Sequence, residues 1–145
     1  MAPHLTAQTL AARLRWPNVT ERAEAEPGTR LFTAWPAKAG AEPLDLVFDA
    51  SNSEIIFVGF GPWWGDFERS FDERRNTRLA LAAARAIIAG ARCVLAERGE
   101  GGLLLAMGLY RRRPARPPRV AAGCQRLNRY AFNAAPTDVE TERDK

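Results

Sequence analysis

Hydrophobic positions along the chain change their period several times, and each change predicts an element. Leu10 and Leu14 stand four apart with Ala7 and Ala11 on neighbouring rows, a helical spacing over residues 6–15 that Pro17 ends. Residues 18–28 are polar and acidic and finish in Pro27-Gly28, which reads as a loop. Residues 30–35 have a strand's composition, and 36–43 read as a second loop. From 44 to 50 the period becomes two. Leu44, Leu46 and Phe48 share one face, and Asp45 and Asp49 the other, as expected of a strand with one wet side. Ser51-Asn52-Ser53 then turns the chain into Glu54–Phe60, its most β-prone stretch, expected to be a central strand paired with its predecessor as a hairpin.

Gly61-Pro62-Trp63-Trp64-Gly65-Asp66 is read as a loop. Ser70 and Glu73 have the spacing of a capping box for a long helix that ends at Ala89, with Gly90 as the stop. Along it Leu79, Ala83, Ala86 and Ile87 recur on one side, while Arg78, Arg85 and Arg92 repeat every seven residues on a solvated one. Residues 92–97 and 103–110 read as two strands joined by Gly99-Glu100-Gly101-Gly102, and residues 120–124 as a last strand reaching toward Phe132. The predicted fold is α+β: an antiparallel sheet of five to six strands, a long helix on one face and a short N-terminal helix. One domain spans residues 1–136, with a charged, disordered tail expected over 137–145. The predicted core contains Leu46, Phe48, Ile56, Val58, Leu79, Ile87, Val94 and Leu105.

A length of 145 residues suits one core, and 46% hydrophobic with 26% charged residues is ordinary for a globular chain. No apolar run approaches the roughly 18 residues of a membrane span, and no secretory signal opens the chain, so a cytoplasmic protein without membrane partners is expected. The net charge is +4. Its basic excess sits in residues 101–137, where arginines occur without a single acid. Arg111, Arg112, Arg113, Arg116 and Arg119, with Tyr110 and Tyr130 nearby, make a nucleic-acid-binding module using the basic segment 111–129 the alternative functional reading. Against specific nucleic-acid binding stand the prolines of that segment and an arginine bias that runs through the whole chain.

Catalytic chemistry finds no motif. No phosphate-binding glycine loop opens a helix, and Gly99–Gly102 joins two strands instead. The single histidine, His4, lies near the N-terminus. Asp45 and Asp49 are about 13 Å apart by strand rise, too far to act as a carboxylate pair. Cys93 and Cys124 lie far apart and read as small buried hydrophobes, not as metal ligands. No cofactor, no metal and no enzymatic activity are expected, and an enzyme with an unfamiliar site is the least supported reading.

The most unusual stretch is 57–67, with adjacent tryptophans between glycines and a proline. Trp63 and Trp64 either seal the core or form an aromatic patch for a partner, and adjacency suits one inside and one outside. Val58, Phe60 and Phe67, with Trp63 in an aromatic turn and a helix following, make residues 44–110 resemble a family of bacterial immunity proteins. Members neutralise the toxin domains of contact-dependent and other polymorphic toxin systems. Trp64 and Asp66 stand where that family's pattern has two histidines, so no metal or catalytic role carries over. What the resemblance implies is a scaffold and a toxin protein domain as partner. The candidate contact residues come from side-chain chemistry: Trp63, Trp64 and Asp66 place aromatic area beside a carboxylate, and the acidic strand face of Asp45 and Asp49 is the second candidate surface.

Overall fold

The structure, a computed structural model, describes residues 5–23, 25–49, 54–67, 72–111 and 119–139, with backbone alone at 54–56 and 73. Helix α1 covers Ala7–Leu14. Thr6 caps it by accepting from the Thr9 amide, and the Thr9 hydroxyl oxygen accepts from the Thr6 amide in return. Five antiparallel strands follow in sequential order: β1 Val19–Arg22, β2 Thr29–Ala34, β3 Leu44–Asp49, β4 Glu54–Phe60 and β5 Trp63–Asp66. Helix α2, Glu73–Ile88, leads to a second antiparallel sheet. Its strands are β6 Arg92–Arg98, β7 Leu104–Arg111, β8 Arg126–Tyr130 and β9 Thr137–Asp138, in the order β7-β6-β8-β9. The fold is α+β as expected, with the strands divided between a sheet of five and a sheet of four. No helix among the described residues is long and apolar enough to cross a membrane.

The inner face of the five-stranded sheet makes most of the core. Phe32, Ala34, Leu44, Leu46, Phe48, Val58 and Phe60 are buried there against Leu10 and Leu14 of α1 and Ala80, Ala84 and Ile87 of α2. Phe32 and Phe48 stack with centroids 5.0 Å apart, and the Arg30 guanidinium lies over both rings. Glu21 holds that guanidinium with two 2.7 Å contacts. The hydrogen bond from Arg30 keeps the Glu21 carboxyl below its ordinary pKa, with a smaller Coulombic contribution and some burial opposing it.

Val94 on β6 and Phe132 after β8 bring the four-stranded sheet into the same core. Phe132 meets Trp16 edge-on at 5.0 Å, and the Asn133 carboxamide oxygen accepts from the Ala37 and Lys38 amides. Behind β6, Cys93, Leu95 and Leu127 form a smaller cluster. Cys93 and Cys124 are both buried and form no disulfide.

Several expectations need correction. Trp63–Asp66 is a strand, not a loop, and only Gly61-Pro62 turns the chain. Gly61 has φ +57°, the left-handed geometry that a two-residue hairpin favours at its first position. The polar segment after Pro17 contains β1, an edge strand whose only buried residue is Val19. The strand expected from Val120 toward Phe132 starts only at Arg126 and ends at Tyr130, and a further strand, Thr137–Asp138, pairs with it beyond Pro136, in the segment expected to be a tail. The cap of α2 is Asp72, accepting from the Arg75 amide at 3.2 Å; Ser70 lies outside the described residues. Gly90, at φ +81°, ends the helix as expected.

Leu79 and Leu105 are not core residues, being 48% and 41% exposed. The buried side of α2 runs through Asn76, Ala80, Ala84 and Ile87, one position round from the side that Leu79 marks, so small alanines set the close approach to the sheet. Leu105 shares a β7 face with Met107 and Leu109, and only Leu109 reaches the core. Leu46, Phe48, Val58, Ile87 and Val94 are buried as expected; the Ile56 side chain lies outside the described residues.

Candidate protein-binding face of the five-stranded sheet

Strand alternation decides which tryptophan is available. Phe60 pairs with Trp63, and Phe60 faces the core, so Trp63 packs against the core too. Trp64 pairs with Gly59 and emerges on the outer face, opposite the helices, where it is 51% exposed. The adjacent tryptophans therefore divide one inside and one outside.

Gly59 makes room for the outer indole. A Cβ there would stand 2.6 Å from Trp64 Cζ3, so the ring lies directly across the β4 backbone. Its edge meets Phe57 with centroids 6.4 Å apart at 87°. On the other side of Gly59, Asp45 is its partner on β3. Asp45 accepts a 2.7 Å hydrogen bond from the buried Thr33 hydroxyl, which fixes the carboxylate on the sheet. Thr33, Asp45, Gly59 and Trp64 thus form one cross-strand row.

The next row carries Leu31, Val47, Phe57 and Asp66. Asp66 is exposed, and the apolar members are half-buried. Asp49 closes β3 on the same face, opposite Thr29. At the β1 side the Trp35 indole donates to the Thr20 hydroxyl at 2.7 Å, and the Arg22 guanidinium lies 5.5 Å from the ring centroid. Among the described side chains of this face the formal charges are Asp45, Asp49 and Asp66 against Arg22. An aromatic centre bounded by carboxylates is therefore presented by a protein whose net charge is positive.

Four of the five candidate contact residues, Trp64, Asp66, Asp45 and Asp49, share this face; Trp63 does not, since it supports the row from behind. Sequence reading missed Phe57, Gly59 and Trp35. The signal for the first two was alternation: once Trp63–Asp66 is a strand folded back by a two-residue turn, Trp64 must fall opposite Gly59.

In the basic segment, Arg111 ends β7 and is exposed, as is Arg119. Arg112, Arg113 and Arg116 lie outside the described residues. Comparison with known proteins found no matching family model, no matching curated protein and no matching solved structure.

Proposed function

We infer that the protein is a cytoplasmic immunity-type domain that neutralises a cognate bacterial toxin domain by binding it through the outer face of the five-stranded sheet. The observation that carries this reading is the gathering of Trp64, Asp45, Asp49 and Asp66 on one sheet face, opposite the helices. A half-exposed indole seated on a rigid, hydrogen-bonded sheet loses little freedom when a partner covers it, which favours tight binding. Carboxylates at its margins match a partner with an apolar recess and a basic rim, and they speed encounter with such a surface. The partner class comes from the resemblance of the strand, aromatic turn and helix to immunity proteins. No catalytic step is required, because covering a surface suffices to inhibit.

The test is protection. A toxin domain encoded beside this protein's gene is expressed in a susceptible cell with and without the protein, and growth is followed. Wild type and Arg78→Ala, altered on the exposed side of α2, should both restore growth. Trp64→Ala with Asp45→Ala should not, although it accumulates as a folded protein. Growth restored equally by the double variant, or by none of the proteins, would overturn the assignment.

A further inference from the structure

The four-stranded sheet carries a second constellation that shares no residue with the face just described. At the end of β6 the chain turns through a 3₁₀ segment, Glu100–Gly102, closed by the Gly99 amide donating to the Leu103 carbonyl at 2.8 Å. Gly101 and Gly102 have φ of +68° and +80°, so a bare backbone lines this turn. The segment before β8 docks beside it, with the Gln125 amide donating to the Arg98 carbonyl at 2.7 Å. Between the two lies an open cleft of about 450 Å³, lined by Arg98, Arg126, Gln125, Asn128 and Tyr130.

Its charge is poorly balanced. Arg98 is half-buried, yet its hydrogen bonds go to neutral groups, the Tyr130 hydroxyl at 3.1 Å and the Gly102 carbonyl at 3.5 Å. No carboxylate pairs with it among the described residues. Arg126 approaches one carboxylate, that of Asp138, at 3.8 Å, with both side chains largely exposed. Asp138 in turn accepts from the Asn128 amide at 2.7 Å. Partly shielding a guanidinium from water without a counter-charge carries a cost, and an anion in the cleft offsets it.

We propose that this cleft binds a phosphate group, held between the Arg98 and Arg126 guanidiniums with Gln125 contributing a side-chain amide. Two guanidinium forks offer more N–H donors than one carboxylate can accept, whereas a tetrahedral dianion presents oxygens to both. Asp138 is the internal competitor: it holds Arg126 and Asn128 and yields them when the ligand binds.

The experiment titrates the full chain at fixed ionic strength with inorganic phosphate, adenosine 5′-monophosphate and acetate, followed by amide chemical shifts. Both phosphates should bind saturably, and acetate about tenfold or more weaker. The stronger of the two phosphates tells whether the cleft takes the free ion or an ester. Arg98→Gln and Arg126→Gln should each weaken phosphate about tenfold or more, the worth of one charged hydrogen bond. Asp138→Asn should tighten it, and Arg78→Ala should leave it unchanged. Arg126 is exposed, so its variant remains informative if Arg98→Gln impairs folding. No saturable phosphate binding in the millimolar range, acetate equal to phosphate, or unchanged binding in Arg126→Gln would each overturn the proposal.

Discussion

Trp63 and Trp64 differ by one position and should differ sharply in what they contribute to stability. Trp63 is partly buried against the core from the edge strand, so Trp63→Ala removes a large ring from a packed site, a change that costs up to about 3–5 kcal/mol. Trp64 keeps half of its surface in water. An aromatic side chain buries roughly 150–250 Å² in full, so Trp64 covers on the order of 100 Å². At about 25 cal/mol per Å² that is at most about 2.5 kcal/mol, reduced by the side-chain freedom regained on truncation. Trp64→Ala should therefore cost about 1–2 kcal/mol. With a urea slope of roughly 1–3 kcal/mol per molar, the two midpoints should lie about 1 M apart, at equal slopes. Equal losses, or a larger loss for Trp64→Ala, would refute the pairing of Phe60 with Trp63, because a one-residue slip exchanges the two faces.

Three further outcomes follow from the packing and the ion pair. Ile87→Ala should cost about 2–5 kcal/mol and Leu79→Ala less than about 0.5, since only Ile87 is buried; similar denaturation midpoints for the two would show that the buried side of α2 is misplaced. Gly61→Ala should destabilise by about 1 kcal/mol or more in thermal melts, because its φ is +57° and a Cβ would stand 2.9 Å from the Tyr130 ring; an unchanged melting temperature would contradict the turn. The Glu21 carboxyl has a lowered pKa in the fold, so its contribution is complete above the ordinary carboxylate range and fades as pH falls through the folded value. Wild type should exceed Glu21→Gln in urea midpoint at about pH 7, and the gap should narrow as pH falls below the ordinary carboxylate range; a gap independent of pH would deny the ion pair its role.

What the sequence made legible was whatever alternates or repeats by burial. β3 shows its two faces because Leu44, Leu46 and Phe48 are buried while Asp45 and Asp49 are not. The elements it hid are edge or polar strands. β1 buries only Val19, β8 is an arginine-rich strand with only Leu127 fully buried, and β9 is two residues long, so none has enough apolar surface to reveal a period. Trp63–Asp66 was hidden because Gly65 interrupts it and glycine reads as a loop, whereas in the fold the Trp63 and Phe67 rings close over that glycine. The acidic and aromatic candidate residues stand out by type, but their common face comes from strand register. Arg98 and Arg126 are 28 positions apart, and nothing in their spacing signals that β6 and β8 pair and bring them to one cleft.

The most direct test of the proposed function is the affinity of the neighbour-encoded toxin domain for this protein, measured by calorimetry, with Trp64→Ala as the perturbation. An indole at the centre of an interface is worth about 2 kcal/mol or more, so Kd should rise about thirtyfold, with the same denaturation slope as wild type. Leu79→Ala, on the exposed side of α2, should leave Kd unchanged. Undiminished affinity in Trp64→Ala, or a loss confined to Leu79→Ala, would contradict the outer sheet face as the binding surface.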